Sequence, residues 1–339
     1  MKVVTFGEIM MRLMPENYLR FIQADKFEIT YAGAEANVAV SLSNFGINAQ
    51  FVSKVPDNEI GQSAINSLRK YGVDTSMILI GGNRLGTYYV EKGASQRGGK
   101  VIYDRAYSSF SLSNIEEYDW DAIFDNASLF HFTGITPALG DNIAYITKKA
   151  LIKAKEKGII VSCDLNYRNK LWSKDKANEI MTDLMQYVDY LIANEEDAKD
   201  VFGIESPKSD INSGILNLKG YEYVAKYLTN KFHFKGVAFT LRESISASDN
   251  NWSGLFYYNN QAYISKKYSL RIVDRVGGGD SFGGGLIYSI LNNFDPQTTI
   301  EFAVASSALK HSIQGDFNLV SIDEVKKIMN GNTSGRVQR

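Results

Sequence analysis

The sequence carries a dense run of glycines near its C-terminus, where six of the nine residues from Gly277 to Gly285 are glycine. A glycine inside a regular element costs about 0.5–1 kcal/mol of backbone entropy. We therefore expect side chains to be absent here so that something can approach the backbone. An apolar segment follows and predicts a helix over residues 279–292. Glycines at a helix start present free N–H groups and the positive end of the helix dipole, which favours binding of a phosphate or another oxyanion.

Asp280 lies in the first turn of this predicted helix, directly after Gly277-Gly278-Gly279. An N-cap carboxylate would explain a single Asp here. It would not explain three glycines before the Asp and three more just after it. A carboxylate beside an anion-binding backbone predicts a general base next to a phosphate, which indicates phosphoryl transfer to a hydroxyl group.

The same residues match the G-x-S-x-G pattern of a hydrolase nucleophile elbow, with Ser281 as the nucleophile. Asp295 and His311 follow in the order that such a triad requires. An elbow serine stands directly after a strand, whereas the preceding strand here is expected to end near Val273. The surplus glycines have no use in an elbow, so the pattern favours the phosphate site.

Other phosphate and metal signatures are incomplete. The segment 93–100 looks like a P-loop, but Val101 stands where the magnesium-binding Ser or Thr would follow the lysine. The dinucleotide pattern G-x-G-x-x-G is interrupted at Phe282. The three histidines lie too far apart in sequence to indicate a metal site, and we expect each to be structural.

Composition excludes several function classes. The 339 residues suit one large domain, or one domain with a small appendage, and the net charge of −1 predicts no general attraction to nucleic acid or to an anionic membrane. Cys163 is the single cysteine and lies in an apolar run, so we expect a small buried side chain and no disulfide. No apolar run approaches the roughly 18–20 residues of a membrane span. The N-terminus reads directly as a strand, so cytoplasmic localisation is the default expectation.

Strands and helices alternate along most of the chain, which predicts an α/β domain with a mainly parallel sheet. Strands are expected at 3–6, 50–55, 129–132, 159–164, 189–193 and 236–240. Helices are expected at 32–46, 58–71, 140–157, 175–187, 195–202, 219–230, 279–292 and 297–311. Residues 245–267 read as strands with tight turns at Asn250-Asn251 and Asn259-Asn260.

Two segments interrupt the alternation. Residues 10–31 and 84–106 have the scattered apolar and aromatic pattern of short strands, and we expect them to form a small inserted sheet that acts as a lid over a cleft. A lid rich in Tyr and Phe would expose apolar surface, which predicts a homo-oligomer formed through it. Residues 331–339 are expected to be a polar C-terminal tail.

Charged and polar residues follow several predicted strands, at the sheet edge where α/β proteins bind ligands. Arg168 follows the strand 159–164, and Arg105 lies between Tyr103 and Tyr107 on the predicted lid. Arginines bind carboxylates through two hydrogen bonds, so these two predict a small substrate with a carboxylate and several hydroxyls.

Two further strand ends carry candidate ligands for the phosphates or for a metal. Asn194 and Asp197 begin a helix after strand 189–193 and could hold magnesium through water. Thr240 and Arg242, at the end of another strand, could contact nucleotide phosphates.

Several motifs together resemble a known family. Gly277-Gly278-Gly279-Asp280, preceded by Asp274, resembles the D-T-x-G-A-G-D signature of the ribokinase-like (PfkB) sugar kinases. Residues 33–37, with Gly46 closing the helix, resemble that family's N-terminal glycine motif, and the resemblance covers about residues 1–328. Within the family the pattern is most similar to the 2-keto-3-deoxygluconate kinases, on the segments 33–39, 87–89, 103–105, 134–139, 164–168 and 171–172.

The resemblance implies a three-layer α/β/α ribokinase-like domain over residues 1–330 and phosphorylation of 2-keto-3-deoxy-D-gluconate to its 6-phosphate by ATP with Mg²⁺. Asp280 is implied as the general base and the backbone of Gly277, Gly278 and Gly279 as the anion hole. The residues implied to hold the sugar acid are Gly33, Asn37, Tyr89, Tyr103, Arg105, Arg168, Asp274 and Asp280. Those implied to contact the nucleotide are Asn194, Thr240, Arg242, Gly277 and Gly279, with Mg²⁺ held through water by Asn194 and Asp197.

The sequence departs from the family pattern at several positions. Gly278 replaces an alanine, Asp197 stands where the magnesium motif has Glu, and Thr240-Leu241 lacks the usual following glycine. Arg12 stands where many neutral-sugar kinases have Asp, which disfavours ribose- or fructose-type substrates. A neutral-sugar kinase of the same fold and a non-catalytic sugar-acid sensor remain the alternatives. An intact Asp280 argues against the sensor, which has no need of a base.

Overall fold

The structure is a computed structural model that describes residues 1–194, 196–205 and 217–332. Its centre is a ten-stranded sheet in the order β13-β12-β11-β10-β9-β8-β1-β4-β5, with β14 pairing β12. The pairs from β11 through to β5 are parallel, and β12, β13 and β14 are antiparallel to their neighbours. The strands are β1 (Lys2–Phe6), β4 (Asn48–Val55), β5 (Ile78–Ile80), β8 (Ala127–Thr133), β9 (Ile160–Asp164), β10 (Tyr190–Ala193), β11 (Gly236–Ser244), β12 (Asp249–Tyr258), β13 (Gln261–Ile264) and β14 (Tyr268–Arg271).

A second sheet of four strands, in the order β3-β2-β6-β7, stands apart from the central one. We call it the small sheet; its strands are β2 (Met10–Met14), β3 (Glu28–Ala32), β6 (Gly86–Glu91) and β7 (Lys100–Asp104). These strands come from the two segments that the sequence predicts as an insertion, so the predicted second sheet is confirmed. Met10, Met14 and Tyr88 are buried on the face where Val276 and Phe317 of the main body pack.

Helices cover both faces of the central sheet and complete a three-layer α/β/α domain, as predicted. The described helices are α1 (Ala34–Asn44), α2 (Glu59–Arg69), α3 (Trp120–Ile123), α4 (Asp141–Glu156), α5 (Lys174–Leu184), α6 (Asp197–Phe202), α7 (Leu218–Phe232), α8 (Gly278–Leu291), α9 (Pro296–Lys310) and α10 (Ile322–Met329). Alternate residues of the strands point to opposite faces. Val4 and Phe6 therefore join the core with α4, α5 and α7, while Val3 and Phe51 join the core with α1 and α2.

Local sequence signals set several helix ends. Asn58 caps α2 by accepting hydrogen bonds from two backbone N–H groups, and Asp295 caps α9 with Pro296 in the first turn. Ser321 and Glu324 form a capping box at α10. The spacing of Ser321 and Glu324 can be recognised in the sequence, although no helix was predicted at α10. In the described part of the chain, no helix is long and apolar enough to cross a membrane.

Two details of the predicted order are wrong or incomplete. The tight turn expected at Asn250-Asn251 is wrong, because both residues lie inside β12 and pair with Glu243 and Ser244 of β11. The turn at Asn259-Asn260 is confirmed, since both residues have positive φ between β12 and β13. The short elements β5, β14 and α3 were not anticipated. Of the expected tail, residues 333–339 lie outside the described residues.

Candidate active site

A cleft with a volume of about 470 Å³ lies between the carboxyl ends of the central strands and the small sheet. Of the residues predicted from sequence, those that line it are Gly33, Asn37, Tyr103, Arg105, Arg168, Asn194, Asp197, Thr240, Arg242, Gly277, Gly278, Gly279 and Asp280. These side chains come from distant parts of the sequence because parallel strands end at the same edge of a sheet. The structure therefore gathers most of the predicted site into one cleft.

The start of α8 carries unpaired donors toward this cleft. Gly277 has a left-handed φ of 81°, and a Cβ there would overlap with the carbonyl oxygen of Asp316, so only glycine fits. The backbone N–H groups of Gly277, Gly279 and Asp280 donate to no other described group. The N–H of Gly278 is engaged, because it donates to the Arg275 carbonyl at 3.3 Å. The predicted anion hole thus has its free donors at these three residues rather than at Gly278.

The second half of the glycine run has a different purpose from the one predicted. A Cβ on Gly284 would lie 2.6 Å from Cβ of Ser41 in α1, and a Cβ on Gly285 would lie 2.9 Å from Cα of Ala303 in α9. Gly283 is less crowded, since its Cβ would lie 3.4 Å from Ile192. The expectation that all six glycines admit a ligand is therefore wrong, because Gly284 and Gly285 let helices pack closely.

Asp280 lies at the cleft surface and accepts a hydrogen bond of 2.6 Å from Nδ2 of Asn37, a buried residue of α1. Enclosure by the protein raises the pKa of the Asp280 carboxyl to about 7, and the nearby Asp316 and Glu35 add to this rise. The Asn37 hydrogen bond and the Arg168 charge oppose it. A carboxyl group with this pKa is ionised at mildly alkaline pH and basic enough to accept a proton from a hydroxyl in the transition state.

Ser281, Asp295 and His311 do not form the hydrolase triad that their order in the sequence would allow. Ser281 is buried in α8, and its Oγ lies 3.2 Å from Oγ of Ser306. Asp295 caps α9 by accepting from the N–H of Thr298, and Nδ1 of His311 bonds the carbonyl of Ser307 at 2.7 Å. Each supposed triad member therefore has a local structural partner of its own.

Arg105 reaches the cleft from the small sheet together with a buried acid. Its Nε and Nη2 atoms donate to Oε2 of Glu8 at 2.8 and 2.5 Å, so the guanidinium is held by two hydrogen bonds. The Arg105 guanidinium also lies 5.6 Å from the ring centre of Tyr103. On the opposite side of the cleft Arg168 is exposed and donates only to the Tyr167 carbonyl among the described residues. Of these two arginines, Arg105 is ion-paired, whereas Arg168 forms no ion pair with a described residue.

Two predicted substrate residues do not line the cleft. Tyr89 is on the other face of β6, where its ring packs against Phe21 and Phe27. The adjacent Tyr88 lines the cleft instead, because side chains alternate along a strand. Asp274 is buried in an ion pair with Arg12, at 2.7 Å from Nη2. Arg12 is also absent from the described cleft lining. Its expected influence on the choice of sugar therefore does not come from a direct contact with the substrate.

Asn194 and Asp197 cap one another at the start of α6. Oδ1 of Asn194 accepts from the N–H groups of Glu196 and Asp197, while Oδ2 of Asp197 accepts from the N–H of Asn194. The other carboxylate oxygen of Asp197 accepts from the N–H of Tyr167. In the described residues, no cluster of three or more metal-binding side chains exists. These groups therefore fit a metal only through intervening water. Glu195, between the two, lies outside the described residues.

The far end of the cleft is positively charged. Arg242 and Arg275 both line it, and no carboxylate of the described residues forms an ion pair with either. Burial lowers the pKa of Arg275, and the neighbouring Arg242 lowers it further. Burial also lowers the pKa of His311 to about 4, so its ring is neutral near pH 7. Uncompensated arginines beside a helix N-terminus favour a polyphosphate.

Several cleft residues were missed by the sequence analysis. Glu8, Glu35, Tyr88, Asp164, Arg275 and Asp316 all line the cleft. Glu35 is buried and accepts hydrogen bonds from the N–H and Oγ1 of Thr133 and from Oγ1 of Thr136, which joins α1 to the loop after β8. Glu8 and Asp164 each stand at the carboxyl end of a predicted strand, which is the signal that could have identified them.

Comparisons with known proteins agree with this architecture. Residues 1–318 match the pfkB family carbohydrate kinases. A solved structure of a 2-dehydro-3-deoxygluconokinase from Thermotoga maritima is 52% identical, with a TM-score of 0.95, and the match covers 98% of this chain and 100% of that one. A putative 2-keto-3-deoxygluconate kinase from Enterococcus faecalis is 25% identical, with a TM-score of 0.90, covering 100% of this chain and 99% of that one.

A curated relative from Haloferax volcanii, a 2-dehydro-3-deoxygalactonokinase, is 32% identical over 334 residues, which cover 98% of each chain. The family match extends over nearly the whole described length, and the structural match includes both sheets. The resemblance inferred from the glycine motifs is thus confirmed, as is the ribokinase-like fold. The chain belongs to the pfkB family of carbohydrate kinases.

Proposed function

We propose that this kinase transfers the γ-phosphoryl group of ATP to the terminal hydroxyl of 2-keto-3-deoxy-D-gluconate, which gives the 6-phosphate, with Asp280 as general base. The observation that carries the proposal is the position of Asp280. Its carboxylate lies beside the unpaired N–H groups at the start of α8 and has a pKa raised to about 7. A base and an anion hole in contact are the two elements that phosphoryl transfer to an alcohol requires.

Asp280 accepts the proton of the substrate hydroxyl as that oxygen attacks the phosphorus. The hydrogen bond from Asn37 fixes one carboxylate oxygen, so the other oxygen is free to face the hydroxyl. The N–H groups of Gly277 and Gly279 stabilise the negative charge that develops on the transferring phosphoryl oxygens. Because these donors are held in place before the reaction, little reorganisation is needed in the transition state.

ATP binds with its phosphates toward the cationic end of the cleft. Arg242 and Arg275 supply charge that no described carboxylate pairs with, and Thr240 of β11 lines the same cleft. Mg²⁺, when bound, neutralises phosphate charge. Asn194 and Asp197 would hold it only through water, because their oxygens already accept backbone hydrogen bonds.

The sugar acid occupies the end of the cleft near the small sheet. Arg168 has no acidic hydrogen-bond partner among the described residues and is the group best suited to bind the substrate carboxylate. Arg105 is already bound to Glu8, so that pair is better suited to sugar hydroxyls and to the keto oxygen. Gly33 lines the cleft, where a Cβ would overlap with the carbonyl oxygen of Glu8, and Tyr103 covers the sugar from the small sheet. The small sheet acts as the lid that excludes water, so that ATP is not simply hydrolysed.

The choice of sugar is tested by ADP release coupled to an indicator reaction. The panel contains 2-keto-3-deoxygluconate, its C4 epimer 2-keto-3-deoxygalactonate, gluconate, fructose and ribose, each with ATP and Mg²⁺. We expect the highest kcat/KM with the first compound. Preference for fructose or ribose would contradict the sugar-acid assignment, and no ADP release with any compound would favour a sensor. Preference for the epimer would keep the mechanism and change the substrate.

We also propose that two copies of this chain associate through the outer face of the small sheet. Ile22, Ile29 and Ile102 are 89%, 58% and 53% exposed. Ile29 and Ile102 lie on the two edge strands β3 and β7, in one row across the sheet through Leu13 and Tyr89, and Ile22 lies between β2 and β3. An apolar face of this kind is rarely left in water, and a second copy offers an identical face. Ile29→Glu is expected to give a monomer in sedimentation velocity. The matched control Tyr145→Glu, at an exposed residue of α4, is expected to leave the oligomer intact, and a monomeric wild type would contradict the proposal.

A further inference from the structure

A buried ionic cluster beside the cleft joins the small sheet to the anion hole, and its member Asp316 also lines the cleft. Its centre is Arg12 of β2, whose side chain is 1% exposed. Nη2 of Arg12 donates to Asp274 at 2.7 Å, and Nη1 donates to Asp316. Lys310, fully buried at the end of α9, donates to the carbonyl of Asp274 at 3.1 Å. Two cations and two carboxylates are thus enclosed together.

The cluster is bonded to the small sheet at two points. Arg12 and Tyr88 are paired across the parallel strands β2 and β6. The Tyr88 hydroxyl donates to Oδ2 of Asp316 at 2.7 Å, so Asp316 receives one hydrogen bond from each strand. Burial raises the pKa of the Tyr88 hydroxyl far above its ordinary value, and the Asp316 charge adds to the rise. The Tyr88 hydroxyl therefore keeps its proton and donates this hydrogen bond at neutral pH.

Asp274 and Asp316 also contact the segment at the start of α8. Asp274 accepts from the N–H of Val276 at 3.2 Å, directly before Gly277, and from the N–H of Gly315 at 3.1 Å. The backbone carbonyl of Asp316 lies against Cα of Gly277, at the place where a side chain would overlap with it. The position of the anion hole is therefore set by the two residues that Arg12 holds.

We infer that Arg12 is a positioning residue that fixes the small sheet, and with it the sugar, relative to the anion hole and Asp280. The inference rests on the proposed phosphoryl transfer. Transfer requires the attacking hydroxyl and the phosphorus to be held in close alignment. Tyr103 of β7 and Arg105, directly after β7, face the sugar, whereas the anion hole belongs to the start of α8. Arg12 of the small sheet bonds both Asp274 and Asp316, and Tyr88 adds a second bond to Asp316.

Arginine is suited to this role and lysine is not. The planar guanidinium presents separate N–H groups to two carboxylates in a fixed geometry, whereas an ammonium is a single point charge. Arg12→Lys therefore keeps the charge balance of the cluster but loses one of the two bridges. Because Arg12 is absent from the described cleft lining, neither substrate loses a contact.

The test measures kcat, both KM values and the ratio of ADP released to sugar acid phosphorylated. For Arg12→Lys we expect kcat to fall at least tenfold, both KM values to stay within about threefold, and the ratio to rise above one because water attacks the misaligned phosphate. Tyr88→Phe is expected to change the same quantities less. Its effect should not add to that of Arg12→Lys, because both residues act on Asp316. A purely structural role would reduce the folded fraction but leave the ratio at one.

The matched control is Arg20→Met, which removes a half-exposed arginine of the same segment that pairs with Glu91 at 3.5 Å. It is expected to leave kcat and the ratio unchanged. Arg12→Met removes the charge as well as both bridges. If this variant fails to fold, the kcat and the ratio measured for Arg12→Lys and Tyr88→Phe test the inference. A folded Arg12→Lys enzyme with wild-type kcat and a ratio of one overturns the inference alone. A wild type inactive on every sugar acid overturns the proposed function together with it.

Discussion

Replacing the proposed base should make the protein more stable while it removes activity. The pKa of Asp280 is raised from 3.8 to about 7, chiefly by enclosure in the protein. The folded state therefore disfavours the ionised carboxylate, and stability is lost as the pH rises from about 4 to about 7. Asp280→Asn keeps an acceptor for Asn37 but cannot ionise, so it avoids this loss. The gain is expected above pH 7 and is expected to vanish near pH 4.

The size of the gain follows from the two pKa values. They are about 3 pH units apart, and about 1.36 kcal/mol for each gives an upper limit of about 4 kcal/mol. Asp280 is only partly shielded from solvent, so we discount this limit to about 1–2 kcal/mol. For a chain of this size such a gain raises the melting temperature by roughly 1.5–3 °C.

Thermal unfolding of wild type and Asp280→Asn at pH 8 and pH 4.5 measures the effect, and ADP release at pH 8 measures activity. We expect kcat to fall by about 10²–10⁴, the range for loss of a general base. Equal melting temperatures at pH 8 would refute the raised pKa. A kcat close to the wild-type value would refute the role of Asp280 as base.

Three further outcomes test other parts of the site and fold. Asn37→Ala removes a hydrogen bond to the charged form of Asp280, so the pKa of Asp280 should rise further. The acid limb of the pH profile of kcat/KM should then move to higher pH by about one unit, and an unchanged profile would contradict a role of this hydrogen bond in the pKa. Arg168→Ala is expected to raise the KM for the sugar acid at least tenfold with little change in the KM for ATP, and an unchanged sugar-acid KM would remove Arg168 from the site. Gly284→Ala should destabilise the fold by about 1–3 kcal/mol in chemical denaturation, because its Cβ would lie 2.6 Å from Ser41. The control Gly283→Ala, with 3.4 Å to Ile192, should be neutral or stabilising, and equal effects of the two substitutions would contradict the packing argument.

The order of strands and helices could be predicted from sequence because each element has a clear local pattern of apolar residues. Short apolar runs followed by amphipathic segments predict parallel strands and helices, and the observed bounds differ from the expected ones by only a few residues in most elements. The turn wrongly placed at Asn250-Asn251 shows the limit of this reasoning. Two asparagines favour a turn locally, but pairing of β12 with β11 over nine residues outweighs that preference.

Site residues could be predicted from sequence where they lie at strand ends or in the glycine run. Tyr88 and Tyr89 show what the sequence could not predict. Which of two adjacent tyrosines faces the cleft depends on the register of β6 against β2, since a shift of one residue exchanges the faces. A tyrosine pair alone does not determine that register.

The sequence by itself determined the α/β class, the inserted small sheet, and the placement of Asp280 beside a glycine-opened helix, because these depend on residues close together in the chain. The tertiary contacts were needed to show that Arg105 is bound to Glu8, that Gly284 and Gly285 serve helix packing, and that Arg12 joins Asp274 to Asp316. The ion pairs of Arg105 and Arg12 span 97 to 304 residues of sequence. Local propensity does not encode them, because they depend on how the strands and helices pack around one shared core.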